Sequence, residues 1–275
     1  LWQARVKDSM AGFDRFLKQM AVLKGIIIAM SLRELKTRHA GSVWGSLWAL
    51  LSPFASVATF WLVFSVGFRF RPDENYPFII FFLCGWIPWF VFQEALTNSA
   101  SAITRVPYLV KKILFPTEIL PIVHILVSCV SLIALMALLC GILAHYSAPW
   151  SLASLQVLYY IFAMFAFALG VGWVVSSLNV FFRDVSPLLS AILGLWFWFT
   201  PIVWSSAMIP EAYRSWLFLN PMYYIVEGFR ESLLYQVPLW DSANNHLLYW
   251  ATCFFFLFFG GWLFRRLKPE FAEVL

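Results

Sequence analysis

Residues Asn179–Pro187 read NVFFRDVSP, which sets one arginine and one aspartate between two segments that carry no charge at all. From Ile119 to Phe182, 64 residues, there is no Asp, Glu, Lys or Arg, and from Val185 to Pro210 there is again none. A charge pair and a proline in such a background mark a turn at the edge of an apolar medium. The rest of the chain agrees: 62% of its 275 residues are hydrophobic, 12% are charged, and the mean hydropathy is +0.79. A soluble domain of this length cannot hide that much apolar surface, so the solvent is lipid.

A helical span takes about 20 mostly apolar residues. Six segments meet this: Ser42–Phe68, Tyr76–Gln93, Ile119–His145, Leu152–Phe182, Val185–Trp204 and Leu247–Phe264. The turn HYSAPW, His145–Trp150, splits the long uncharged stretch in two. The second segment is short and carries Gly85 and Pro88, so it is expected to be bent or incomplete. Barrel strands would instead alternate over about 10 residues, and the runs here are solid. The expected fold is an all-α membrane protein of six transmembrane helices.

Orientation follows from the cations. With both termini inside, fifteen of the 19 Lys and Arg fall on the cytoplasmic side, eight of them before residue 40. The positive-inside rule selects this arrangement, and Arg183 then lies at an inner turn where Asp184 pairs with it or caps the next helix. Topology and anionic lipid account for the net charge of +5, so no nucleic-acid partner is implied. The charged N-terminal stretch does not read as a cleavable signal. Cys84, Cys129, Cys140 and Cys253 all lie inside spans with no CxxC, and read as packing residues.

Three connecting segments carry pattern. Phe13–Arg38 alternates apolar clusters with Lys and Arg, as a helix lying in the inner interface does, or as a purely topogenic basic segment would. Glu94–Glu118 is a long inner loop punctuated by Pro107 and Pro116, which reads as a docking surface or an ordinary connector. Met208–Pro238 holds two short apolar stretches separated by Asn220–Pro221. Glu227, Arg230 and Glu231 share one helix face there and can pair. The simplest arrangement is a re-entrant helical hairpin dipping from the outer side, covered by protein or water rather than lipid; a loop packed on the outer surface is the alternative.

Catalytic chemistry is largely missing. There is no GxxxxGK[ST], HExxH or GxSxG, and His39, His124, His145 and His246 are too scattered for a metal site. The span cores lack acids, which disfavours a proton relay. What remains is aromatic content, with 29 Phe, 15 Trp and 10 Tyr. In LWFWFTPIVW, Leu195–Trp204, the aromatics are too dense to serve only an interfacial belt. Some of them should face protein or a pore, where sugar C–H faces stack weakly enough to slide.

The segments LRELKTRHAGSVWGSLWALLSP (Leu32–Pro53), YLVKKILFPTEILP (Tyr108–Pro121), LNVFFRDVSPLLSAILGLWFWFTPIVW (Leu178–Trp204), IPE (Ile209–Glu211) and NPMYYIVEGFR (Asn220–Arg230) resemble the permease subunits of ABC-2-type polysaccharide exporters. The likeness is strongest to the O-antigen exporters of lipopolysaccharide biosynthesis, with capsule and teichoic acid exporters related, and it runs through the whole chain in order. It implies a single transmembrane domain over 1–275: an interface segment 1–39, a membrane domain 40–264 and a cytoplasmic tail 265–275. It implies a homodimer in the bacterial inner membrane with two copies of a separate ABC ATPase, which would bind the ATP and Mg, and a lipid-linked polysaccharide threaded between protomers.

By resemblance, Asn98, Arg105, Tyr108, Lys111, Lys112, Arg183 and Asp184 would couple to the ATPase. Trp196, Phe197, Trp198, Phe199 and Trp204 are the glycan-channel candidates. Asn220, Pro221, Tyr223, Tyr224, Glu227 and Arg230 would belong to an outer gate. Arg33, Lys36 and Arg38 are the candidates to meet an anionic lipid-carrier headgroup. No metal, no cofactor in this chain and no catalytic residue are expected. A permease for a smaller lipid or drug, and a membrane-embedded glycan-modifying enzyme, are the competing readings; the latter needs pocket-facing acids.

Overall fold

The computed structural model describes residues 23–38, 48–111, 115–242 and 245–275, and every regular element among them is helical. Residues 13–22, the start of the 42–68 segment and Lys112 lie outside the described residues. Helix α1 occupies residues 23–37. Helix α2, Trp48–Phe60, runs on into a π-helical stretch, Trp61–Gly67. Then come α3 (Phe78–Ala100), α4 (Pro107–Val110), α5 (Ile119–His145), α6 (Val157–Phe181, after a 3-10 turn Leu152–Gln156) and α7 (Val185–Phe199). The short α8 (Glu211–Arg214) continues as a 3-10 turn, Ser215–Leu219. Helix α9 (Pro221–Arg230) continues as a π turn, Glu231–Tyr235; α10 (His246–Leu267) and α11 (Phe271–Val274) end the chain.

Among the described residues, four helical segments are long and apolar enough to cross a membrane: Phe78–Ala100, Ile119–His145, Leu152–Phe181 and His246–Val274. Two shorter apolar helices, Leu51–Gly67 and Val185–Phe199, correspond to the other two sequence segments. Helix α7 stops early for a local reason. Thr200 precedes Pro201, and the proline ring disfavours α backbone in the residue before it; Thr200 adopts φ −97, ψ 132. At a rise of 1.5 Å per residue α7 is about 22 Å long, short of a hydrocarbon core about 30 Å thick.

The segment expected to be bent or incomplete is instead the centre of the molecule. Helix α3 runs through Pro88 for 23 residues and packs on α5, α6, α7 and α9. In its apolar window 83% of residues are buried, against 22% for the last long segment, so α3 is the hub and α10 lies at the periphery. It also extends past Gln93 into the expected loop. Glu94, Ala95, Leu96, Ser99 and Ala100 are buried there, so the connector after α3 begins only at Ser101. Where α6 crosses α10, Gly170 and Gly260 bring two backbones together: a Cβ on Gly260 would lie 2.3 Å from the Gly170 carbonyl oxygen. Small residues at such crossings allow close helix approach in a membrane.

Polar contacts gather at two opposite ends. At one, Arg38 pairs with Glu94 (2.5 Å), Arg105 lies 4.0 Å from Glu34, and Lys268 Nζ is 2.8 Å from both oxygens of Glu118. At the other, Asp73, Tyr76, Pro149, Ser151 and Gln236 meet. Helices α3, α5 and α6 therefore run in alternating directions, while α10 runs parallel to α6, as the pairings Ala163–Tyr249 and Gly170–Gly260 show.

Candidate functional site

The segment between α7 and α10 holds the densest polar architecture. Past Phe199 the chain is unwound through Thr200–Val203, all buried, so its backbone groups need partners that a helix would otherwise supply. Asn220 binds side chains at the start of this stretch instead. Its Oδ1 accepts from Trp196 Nε1 (2.8 Å) and from the Met222 amide (3.0 Å), capping α9, while its Nδ2 donates to Thr200 Oγ1 (2.9 Å). Arg230 supplies a partner for the backbone. It has no exposed surface, donates Nη2 to the Ile202 carbonyl (2.9 Å), pairs with Glu227 (3.3 Å), and stacks its guanidinium 3.6 Å from the Phe81 ring centre. Gly85 leaves room for it, since a Cβ there would come within 2.9 Å of Nη2. The Glu227–Arg230 pairing expected from their spacing is present.

Helix α9 is also tied to its neighbours. Trp250 Nε1 donates to the Tyr159 hydroxyl (2.6 Å), which lies 2.8 Å from the Tyr224 hydroxyl, itself 2.7 Å from His246 Nδ1. At its far end Tyr235 donates to Asp73 (2.6 Å) and Tyr76 donates to the Leu234 carbonyl (2.7 Å). Burial, and then the bond to Asp73, raise the Tyr235 phenol above its ordinary pKa, which keeps it a donor. Gln236, at φ 55, donates to the Pro149 carbonyl (3.0 Å) and accepts from Ser151. Of the gate candidates, Pro221 opens α9 and Tyr223 lies buried on it.

The aromatic run splits between two surroundings. Trp196 packs edge-on to Trp89, Phe92 and Phe167, and Phe197 against Phe60 and Trp89, so these two face protein. Trp198 and Phe199 are exposed, and the half-buried Trp204 donates to the Trp198 carbonyl (3.2 Å).

At the opposite end, the ion pairs Arg38–Glu94 and Glu34–Arg105 fasten α1 to α3 and to the connector that follows it. Asn98 donates back to the Glu94 carbonyl (2.9 Å) within α3, whereas Tyr108 and Lys111 are exposed. Arg183 and Asp184 sit exposed on the tight turn between α6 and α7. Asp184 occupies the N-cap of α7 without a side-chain cap bond, and Asn179 Oδ1 instead accepts from both the amide and the hydroxyl of Ser186 (3.1 and 3.0 Å). Arg33 and Lys36 are exposed, while Arg38 is engaged by Glu94.

Sequence reasoning missed Glu94, Asn179, Gln236, Tyr159 and the Phe81–Gly85 cradle. Glu94 had a signal, as the first acid after a long apolar run; the others bond to partners that no short-range pattern marks. Among the described residues no group of three or more His, Cys, Asp or Glu is placed to hold a metal ion.

Residues 26–234 match the family described as "ABC-2 type transporter". The chain is 30% identical over 270 residues to the O-antigen export system permease protein RfbA of Myxococcus xanthus, covering 94% of this chain and 98% of the relative. It is 27% identical to a protein of the same name from Klebsiella pneumoniae, covering 93% and 97%. To the polysialic acid transport protein KpsM of Escherichia coli it is 26% identical, covering 90% and 95%.

Proposed function

We propose that this chain, which belongs to the ABC-2 type transporter family, is the permease subunit of an ATP-driven exporter that moves lipid-linked polysaccharide across the bacterial inner membrane. The observation that carries this reading is the end-to-end likeness to O-antigen export permeases, 94% of this chain against 98% of the relative. Nucleotide chemistry belongs to a separate ABC ATPase, since no phosphate-cradling motif is present here. Two permeases and two ATPases form the working assembly, and the glycan passes between the permeases. Energy enters through differential contact with the two ATPase states.

Six spans, α2, α3, α5, α6, α7 and α10, cross with both termini in the cytoplasm. The helix directions support this: α3, α5 and α6 alternate, and α10 runs parallel to α6, which fits one crossing by α7 between them. The end bearing Arg38, Glu94, Arg105 and Lys268 is the cation-rich one and faces the cytoplasm. There Asn98, Arg105, Tyr108 and Lys111, with the Arg183–Asp184 turn, form the face that meets the ATPase. Because α1 is ion-paired to this region, a push on the connector is passed to the interface helix. Arg33 and Lys36, exposed on α1, meet the anionic headgroup of the lipid carrier. Trp198 and Phe199 offer aromatic planes to the passing sugar, and residues 208–238 form a re-entrant outer gate.

Co-purification of the chain with the ATPase encoded beside it, followed by mass spectrometry of the bound glycan, tests the reading. A lipid-linked polysaccharide is expected; a free lipid or small amphiphile, or nucleotide hydrolysis by this chain alone, refutes it. The similarity to KpsM favours capsule export as the second reading. Capsular rather than O-antigen repeat units in the bound glycan would select it.

A further inference from the structure

The outer segment is built unequally about Asn220. On its C-terminal side, α9 and the π turn that follows are anchored to four other parts of the molecule. Arg230 holds Phe81 and the Ile202 carbonyl, Tyr224 holds Tyr159 and His246, Tyr235 holds Asp73, and Gln236 holds Pro149. All of Met222–Val226 is buried. On the N-terminal side, residues 205–219 present Tyr213, Trp216 and Leu219 at 64%, 71% and 66% exposure. Three residues apart, they line one side of a turn with 3-10 character.

The bonds of this stretch are mostly its own. Arg214 donates to the Ile209 and Ala207 carbonyls (both 3.0 Å), and Ser205 Oγ accepts from the Ala207 amide. It rests on α9 through the Phe218–Tyr223 ring contact, with Ser206 beside Tyr223 and Leu217 buried. Its two roots, by contrast, are fixed side by side: Ile202 by Arg230, and Asn220 by Trp196 and by Thr200 at 2.9 Å.

On the export reading above, we infer that only residues 205–219 move in the outer gate, as a flap with both roots clamped, while α9 is a static wall. Opening α9 would break a buried guanidinium contact and at least four long-range hydrogen bonds together. Lifting the flap breaks the Phe218–Tyr223 ring contact, parts Ser206 from Tyr223 and uncovers Leu217, but breaks none of the long-range hydrogen bonds that hold α9. Local opening follows the cheaper route. Asn220 and Arg230 are then positioning residues: they hold the roots and need not touch the glycan.

Two cysteine pairs, bridged by short bifunctional thiol reagents in a chain whose four native cysteines are replaced, test this in the assembled exporter. The pair D73C with Y235C ties α9 to the α2–α3 connector, and its cross-linking should leave export within about twofold of the unlinked form. The pair S206C with Y223C ties the flap down, and its cross-linking should cut export by about tenfold or more, with recovery on reduction. Reversible loss of export in the first pair, or unchanged export in the second, overturns the inference. Hydrogen exchange of the unmodified assembly with and without a non-hydrolysable ATP analogue provides a check free of substitutions. Exchange should change within residues 205–219 and stay constant within 221–235; a matching change in both overturns the inference. Failure of the unmodified chain to restore polysaccharide export in a deletion host counts against the transport reading itself, a separate outcome.

Discussion

The guanidinium of Arg230 stacks 3.6 Å from the centre of the Phe81 ring, and this contact joins the most buried of the long helices among the described residues to the segment that follows α7. A fully buried cation in an apolar domain is tolerated because its ring face, Nη1 and Nη2 are engaged by Phe81, the Glu227 carboxylate and the Ile202 carbonyl, although Nε has no hydrogen-bond partner. Most of the measurable consequences begin from contacts of this type.

Replacing Arg230 with Met removes the donor to Ile202 and leaves Glu227 without its cation. Breaking one side of a buried pair costs about 3–5 kcal/mol. Thermal unfolding of the detergent-solubilised chain should show R230M far less stable than the parent. R230M with E227Q should recover part of the loss, because no unpaired charge is left behind. Equal instability in the single and double variants would mean that the pair contributes nothing beyond packing.

Gly170→Ala and Gly260→Ala drive a methyl group into backbone. The new Cβ would lie 2.7 Å from Leu257 N in the first and 2.3 Å from Gly170 O in the second, and neither obstacle is a movable side chain. Overpacking of this kind costs about 1–3 kcal/mol. Gly141→Ala, with nothing within 4 Å of its Cβ, is the control and should be neutral or slightly stabilising. Thermal unfolding of the three variants checks the contrast.

Arg38→Gln leaves Glu94 buried without its cation, and one oxygen of Glu94 already has no hydrogen-bond partner. The double variant R38Q/E94Q should therefore be more stable than R38Q alone, with a coupling energy of about 0.5–3 kcal/mol in a double-mutant cycle. Additive effects would show that α1 is not held through this pair. Recovery of the ATPase subunit with each variant reports whether that anchor reaches the coupling face.

Tyr108 and Lys111 are exposed. Y108A/K111A should leave thermal stability within about 0.5 kcal/mol of the parent while lowering the amount of ATPase retained on affinity purification. Full retention would remove these two residues from the docking face.

Hydropathy located the long helices closely. Helix α5 occupies Ile119–His145, the range of the expected segment, and α6 ends at Phe181, one residue short. Lipid acts on each segment independently of the others, so local composition is enough to place them. Composition failed where the determining interaction was of another kind. Residues 94–100 are too polar to extend a span by hydropathy, yet the α-helical ladder runs through them and α5 covers them. Helix α7 ends at Phe199 because of the Thr200–Pro201 backbone, although the residues beyond it remain apolar.

The site divides in the same way. The Glu227–Arg230 pairing was legible because residues three apart share a helix face. Phe81, Gly85 and Ile202 could not be assigned to the same guanidinium, since they lie 28 to 149 positions from Arg230 in the chain. Likewise, nothing local in Leu195–Trp204 separates Trp196 and Phe197, which pack inward, from Trp198 and Phe199, which are exposed.

Composition by itself determined that the chain is a helical membrane protein, because partitioning into lipid is a property of each segment alone, and the likeness to the ABC-2 family lay in the order of a few segments. Only the tertiary structure decided that α3 is the hub, that α1 is ion-paired to Glu94 and Arg105, and that α9 is anchored across the fold while residues 205–219 bond mostly among themselves. Those outcomes depend on polar groups finding partners across the fold, and in a medium without water a buried donor bonds whichever acceptor packing brings to it.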